Sequence, residues 1–426
     1  MSAMRRQPFR EVPPTDGLPL RLADLLPGSS DLTGTLAAQL GTPPLLLTCS
    51  GTAAFMVALR TLSERAPQRR DVVVPAYTCP LVAIAVHALG LRLRLCDTRA
   101  GHFDMDETEL SAICNEETLA VVPTHLAGLV ADVDAASRIA RRVGAWVIED
   151  AAQALGALDH GHSVGLRGDI GFFSLAAGKG LSIYEGGLLV SRDETLRDAM
   201  RRTHEAMLPY DRRWEWRRSL ELLGLAALYR PVGLTVAYGM PLKRRLRRGD
   251  TVAAVGDDFP ARIPMHRVGT WRQGVGAKAA ARWPGFLAER RARAARRIDR
   301  LRRIEGLEVL LPREGSEGSW PFLLLRFPDA ARCNVVLGDL WCAGVGVSRL
   351  FVHALTDYTY LADRVPRVPT PHARTFAQCT ATLSNSAWLD EATFERVAKA
   401  IERALTQAET PDTSPCAARS PQAGAR

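Results

Sequence analysis

Lysine is nearly absent from this chain. Only Lys179, Lys243, Lys278 and Lys399 occur, among 55 basic residues in all. Arginine stays charged and forms no imine, so any chemistry that needs a neutral amine has four candidates. The eight cysteines (Cys49, Cys79, Cys96, Cys114, Cys333, Cys342, Cys379 and Cys416) contain no CxxC pair and no metal-finger spacing. A bound metal is therefore not expected, and buried free thiols in a reducing cytoplasm are. Long apolar runs are missing too: none reaches the roughly 20 uninterrupted residues of a transmembrane helix. The basic N-terminal residues are followed by no apolar segment, so no signal peptide is expected. The net charge of +9 is an excess of arginine scattered along the chain, which does not point to a nucleic-acid partner.

At 426 residues there is room for one large domain and a smaller one. The informative stretch is residues 146–190. Trp146-Val147-Ile148 is an apolar run that ends in Glu149 and Asp150. On a strand these two acids face opposite sides. Lys179 sits between Gly178 and Gly180, and Glu185-Gly186-Gly187 follows. Lys243 lies in a basic run, while Lys278 and Lys399 lie in amphipathic helical stretches. Lys179 alone has the apolar, glycine-flanked setting of a reactive amine. An acid closing a buried strand and a lysine in a tight turn suit pyridoxal phosphate. The amine joins the cofactor's aldehyde, and the carboxylate keeps the pyridine nitrogen protonated. Upstream, residues 45–49 read as a strand, and Ser50-Gly51-Thr52 opens a helix. Free amides and a helix dipole there make an anion site, or the turn is an ordinary helix cap.

The string Glu149-Asp150-Ala151-Ala152-Gln153, then Gly168-Asp169-Ile170-Gly171-Phe172-Phe173-Ser174, then Lys179, then Glu185-Gly186-Gly187 resembles the DegT/DnrJ/StrS group of nucleotide-sugar aminotransferases. The likeness is dense over about residues 45–205 and loose beyond. It implies the fold-type-I architecture: an α/β fold with a mostly parallel sheet of about seven strands, helices on both faces, and a smaller α/β C-terminal domain. It implies pyridoxal 5'-phosphate on Lys179, with Asp150 at the ring nitrogen and Gln153 at the ring hydroxyl. Gly51, Thr52, the Ala53 amide and Ser174 would hold the phosphate. The chain departs from the family at Cys79, where an aromatic residue usually stacks on the ring. Either Tyr77 covers the ring, or Cys79 makes a thinner contact. Tyr77, His125, Arg349 and His353 are the substrate-side candidates; for His125 a structural turn is the other reading. Arg272 matches the arginine of a partner-reaching Asn-x-Arg segment whose asparagine is missing here.

Apolar runs at 45–49, 72–75, 91–96, 119–122, 146–150, 172–174 and 187–190 alternate with helical patterns. This alternation argues by itself for a mostly parallel sheet covered on both faces. Each motif falls at the carboxyl end of a strand, where such sheets bind ligands. The expected divisions are an arm (1–25), a cofactor-binding domain (26–208), an apolar and basic insertion (209–265), a small domain with its linking helix (266–408) and a disordered tail (409–426). The arginine-rich helix near 286–304 reads as a solvated face. In the insertion, residues 219–242 form two apolar helical segments rimmed by arginine and broken at Arg230-Pro231. They fit a peripheral contact of residues 210–250 with an anionic membrane surface. The reading preferred over that contact is a helical hairpin covering the active site or the dimer interface.

The resemblance implies a cytoplasmic homodimer. Its reaction would move an amino group from glutamate or glutamine to a keto sugar, nucleotide-linked, in polysaccharide or secondary-metabolite biosynthesis. Three other readings stand beside it: another reaction of the same cofactor on this scaffold, such as a dehydration, which usually lacks the lysine present here; a non-nucleotide substrate on the same fold; and a membrane-peripheral scaffold with a vestigial site.

Overall fold

The computed structural model describes residues 10–28 and 31–406. The first nine residues of the expected arm and the expected tail 409–426 lie outside the described residues. All seven expected strands are present: β1 (Leu46–Thr48), β2 (Asp71–Pro75), β3 (Arg92–Cys96), β4 (Thr118–Val121), β5 (Trp146–Asp150) and, after the short hairpin of β6 (Leu158–Asp159) and β7 (His162–Ser163), β8 (Ile170–Ser174) and β9 (Gly187–Val190). They form one sheet in the order β1-β9-β8-β5-β4-β2-β3. Pairing is parallel from β3 through β8 and antiparallel on both sides of β9, so β9 alone runs against the others.

Helices α1 (Leu32–Leu40), α2 (Gly51–Arg65), α3 (Pro80–Ala88), α4 (Glu107–Ile113), α5 (Val133–Arg142) and α6 (Glu194–Met207) surround it. Strands β2, β4, β8 and β9 are buried along their whole length, so their side chains divide between two cores. Val72, Val74, Ala120 and Ile148 pack with Phe55, Leu59 and Ile84 of α2 and α3. Val73, Val121 and Val147 pack with Leu110 and Ile139 of α4 and α5. Each such side chain contributes about 1.5–3 kcal/mol by leaving water. Helix starts are set by short polar caps: Ser50 accepts from the Ala53 amide, Asp106 from Glu109 and Asp132 from Ala135.

The insertion is helical: α7 (Arg212–Leu228), α8 (Pro231–Leu234), a wide turn at Thr235–Gly239, α9 (Met240–Arg247) and α10 (Thr251–Val255). Pro231 has no N–H, and the residue before a proline avoids helical angles. Arg230 is accordingly extended (φ −147°, ψ 154°), and the helical axis turns by 116° there. Next come α11 (Thr270–Ala280) and α12 (Trp283–Leu301), then β10 (Glu308–Val309), β11 (Ser316–Glu317), β12 (Phe322–Arg326), α13 (Ala330–Leu340), β13 (Val347–Ser348), α14 (Pro371–Cys379), β14 (Thr380–Ser384) and α15 (Glu391–Thr406). Four of these strands make an antiparallel sheet, β10-β12-β14-β13, and β11 joins the β6–β7 hairpin.

One expectation is corrected here. Helix α12 does not present all its arginines to solvent: Arg296 is exposed, but Arg290, Arg293 and Arg297 are buried. Arg293 pairs with Asp16 of the arm at 2.7 Å, and Arg297 donates to the carbonyls of Ser384 and Ser386, each at 3.2 Å. A long amphipathic arginine can enter a core when its donors meet carbonyls there. Among the described residues Cys49, Cys79, Cys96, Cys114, Cys333 and Cys379 are free.

Candidate active site

Lys179 stands in a tight turn after β8, between Gly178 (φ 79°) and Gly180 (φ 86°). Both are conformations that L side chains rarely adopt. Space enforces glycine as well: a Cβ on Gly178 would lie 2.2 Å from Thr15 Oγ1, and one on Gly180 2.6 Å from the Trp283 ring. The arm thus presses the turn from one side, and the Leu18 amide donates to the Gly180 carbonyl at 2.6 Å. From below, fully buried Arg272 donates to the Glu185 carbonyl at 2.6 Å while Glu215 of α7 neutralises its charge. Arg272 is therefore a brace for this turn within its own chain.

Around the half-buried lysine gather Asp150, Cys79 and Asp257. Burial lowers the Lys179 pKa, against the pull of those three groups. Burial raises that of Asp150, opposed by the Ala152 amide (3.0 Å to Oδ1) and then by Lys179. The sheet register aims the acid. Asp150 pairs with Phe172, so Asp150, Phe172 and Ser174 share one face, the face on which Phe55 of α2 meets Phe172 at 5.3 Å. A Cβ on Gly51 would sit 3.1 Å from Ser174 Cβ, so the first turn of α2 abuts Ser174. The Gly51 and Thr52 amides open this helix. The Ala53 amide, expected on a phosphate, donates instead to Ser50 Oγ at 3.0 Å, because the N-cap claims it. Gln153 accepts from the Ala127 amide at 3.0 Å.

Glu149 faces the other side, as the strand parity requires. It is fully buried and accepts the amides of Gly165 (2.7 Å), Arg167 (2.6 Å) and Gly168 (2.7 Å) together with His125 Nε2 at 3.1 Å. Burial pushes its pKa up, but these donors, His125 first, pull it below the usual carboxylate value. His125 is thereby corrected from substrate candidate to structural residue. Its Nδ1 accepts the Ala131 amide at 2.9 Å, so Nε2 carries the proton and donates to Glu149.

Tyr77 is corrected as well. It is fully buried, with its hydroxyl 3.3 Å from the Phe351 carbonyl and its ring edge-on to Phe351 and Phe376. It faces the second sheet, which leaves Cys79 next to Lys179; burial pushes that thiol up to about 12. Arg349 is tied to the Ala377 carbonyl at 2.5 Å and to Asn334 at 2.8 Å, a clamp between α13 and α14. His353 comes closer, its ring 5.3 Å from that of Tyr358.

Tyr358 leads to a residue that the sequence did not single out. Its hydroxyl donates to Asp257 Oδ2 at 2.6 Å, and the Val352 amide donates to the same oxygen at 2.9 Å. Asp257 is buried just after α10, at the end of the insertion, and its carboxylate acts on Lys179. Burial pushes it up to about 6. The only local hint is an acidic pair, Asp257-Asp258, closing a basic segment.

These residues fit pyridoxal phosphate. A desolvated amine faces a desolvated carboxylate, and two helix-start amides lie beside a serine hydroxyl. The buried hydroxyls of Thr78 and Thr124, on the loops after β2 and β4, have no hydrogen-bond partner, which is a mark of a polar ligand site. Among the described residues no cluster of His, Cys, Asp and Glu suits a metal ion.

Comparison with known proteins gives the same picture. Residues 27–225 match the model of the DegT/DnrJ/EryC1/StrS aminotransferase family. The chain is 41% identical over 153 residues to protein MosB of Rhizobium meliloti, covering 36% of this chain and 30% of MosB. It is 38% identical over 164 residues to a UDP-N-acetyl-3-dehydro-alpha-D-glucosamine 3-aminotransferase of Acidithiobacillus ferrooxidans, covering 38% of this chain and 44% of that protein. Each match thus spans less than half of the relative. The crystal structure of DesI with its TDP-sugar product superimposes with a TM-score of 0.71 at 20% identity over 94% of both chains, which establishes the fold-type-I fold. Residues 27–225, which carry the lysine turn and the buried acid, are thus similar to the DegT/DnrJ/EryC1/StrS aminotransferase family.

Proposed function

We propose that this protein is a pyridoxal-phosphate aminotransferase. In this reading it moves an amino group from glutamate or glutamine to a keto sugar carried on a nucleotide, in the cytoplasm and as a homodimer. The observation that carries the proposal is the convergence of Lys179, Asp150 and Ser174 at the carboxyl ends of β5 and β8. The bound cofactor supplies an electron sink for the carbanion that forms beside the transferred nitrogen. Asp150 stabilises a positive charge at the ring nitrogen. Gly51, Thr52 and Ser174 anchor the phosphate, and Cys79 contacts the ring. With the cofactor bound, Lys179 Nζ would be the group to carry a proton at the reacting carbon, because burial lowers its pKa and favours the neutral, basic amine. The nucleotide-sugar assignment is supported by the UDP-sugar relative and by DesI with its TDP-sugar. A homodimer is the usual setting of fold-type-I sites.

The test is an absorption spectrum of protein supplied with cofactor, wild type against Lys179→Ala, before and after borohydride and then with glutamate or glutamine. The proposal expects a visible band that borohydride traps on Lys179 and that an amino donor bleaches. A wild type with no band, or with one that no donor bleaches, removes the transaminase reading.

A further inference from the structure

We infer that the bent helical pair of the insertion, residues 212–247, seats the protein on an anionic membrane surface. Eight of the twelve large apolar side chains exposed among the described residues lie between Tyr210 and Met240. This is a patch rather than scatter, and a patch marks an interaction surface. On α7, Trp216, Leu220 and Leu223 recur at the i, i+4, i+7 spacing of one helical face. Beyond the bend, Val232, Val236 and Met240 recur every fourth residue. Trp216 and Val232 are 67% and 68% exposed, so neither helix has a partner on that side. The opposite side is already engaged. Leu222, Leu234, Leu242 and Leu246 are buried against the body, Tyr229 donates to the Thr15 carbonyl at 2.9 Å, and Lys243 pairs with Glu11 at 3.0 Å.

The polar frame selects the occupant. Arg212, Arg213 and Arg217 stand exposed at one end of the pair, and Arg244, Arg247 and Arg248 at the other. Between Leu222 and Gly249 there is no acidic residue. Glu221 beside the patch is neutralised by Arg218 at 2.5 Å and Arg217 at 3.1 Å. An apolar stripe with a tryptophan, framed by arginine and with only the helix-capping acids Asp211 and Asp250 at its ends, matches a bilayer whose acyl layer lies beneath anionic headgroups. Among the described residues no single helix is long and apolar enough to cross; the bent pair together has the length and composition of a broken or re-entrant span, but its buried leucines tie one side of both arms to the body, which favours lying along the surface. A second copy of the chain would set like-charged rims against each other, which costs free energy.

Flotation of the full chain tests this, with vesicles of phosphatidylcholine alone and of phosphatidylcholine mixed with phosphatidylglycerol. We expect flotation with the anionic vesicles only. Two variants should reduce it by at least about tenfold with unchanged circular dichroism: one carrying Trp216→Ser, Val232→Ser and Val236→Ser, the other Arg244→Gln, Arg247→Gln and Arg248→Gln. Absence of flotation, or flotation unaffected by both variants, overturns the proposal. If the serine variant instead lowers the solution mass from dimer to monomer while wild type stays with the soluble fraction, the patch joins copies of the chain. The readout needs no cofactor, so it stands or falls apart from the transaminase proposal.

Discussion

The Tyr358 hydroxyl donates to Asp257 Oδ2 at 2.6 Å and so locks the end of the insertion into the site that holds Lys179. Burial pushes the Asp257 carboxyl up to about 6, above the ordinary carboxylate range. Because the folded value is raised, the native state holds this proton more tightly, and stability falls as pH rises from about 4 to about 6. Asp257→Asn removes that loss. Urea denaturation at the two ends of this window should show the variant gaining on wild type by about 1–3 kcal/mol as pH rises. If the two curves stay parallel, the carboxylate is not desolvated as described.

His125 tests structure against substrate contact. His125→Ala removes one donor from buried Glu149 but leaves three backbone amides. The expected cost is about 1–3 kcal/mol of stability in chemical denaturation. Cofactor loading and KM per folded molecule should stay within a few-fold of wild type. A large KM effect at unchanged stability would return His125 to the substrate.

Gly178→Ala probes the lysine turn. The residue sits at φ 79° with Thr15 Oγ1 in the way of any Cβ. Strain and displacement of the arm together predict a loss of about 1–3 kcal/mol. Thr15→Gly in the same chain should recover part of it, because it clears the clash but not the angle. Thermal melts of the single and double variants read both terms.

Cys79 should behave as an inert thiol. Burial pushes it up to about 12, so the thiolate is scarce at neutral pH. Iodoacetamide labelling followed by peptide mass analysis should show slow modification near neutral pH, still accelerating above pH 9. A plateau below pH 9 would contradict the burial argument.

Most of the seven strands were legible in the sequence because they are short apolar runs whose burial needs no knowledge of their neighbours, and β3 because its leucines alternate with arginine. Asp150 and Glu149 could be sent to opposite faces from strand parity alone. Lys179 stood out because the chain has so few lysines and because its two glycines mark a turn. The choice between Tyr77 and Cys79 was not legible. It depended on Phe351 and Phe376, which supply a pocket for the tyrosine from far along the chain. The buried arginines of α12 were misread for the same reason. A sequence of alternating arginine and alanine looks solvated until the carbonyls at Ser384 and Ser386 are brought to it.

What the sequence by itself determined was the family resemblance, the sheet and the lysine–acid pair, because these rest on local periodicity, turn chemistry and the order of short motifs. What only the tertiary structure decided was which polar groups meet. Asp257 reaches Lys179, Arg272 braces the turn and His125 is occupied by Glu149 because distant segments pack together. Desolvation and hydrogen bonding at those contacts, which no single stretch of sequence encodes, set what each group can do.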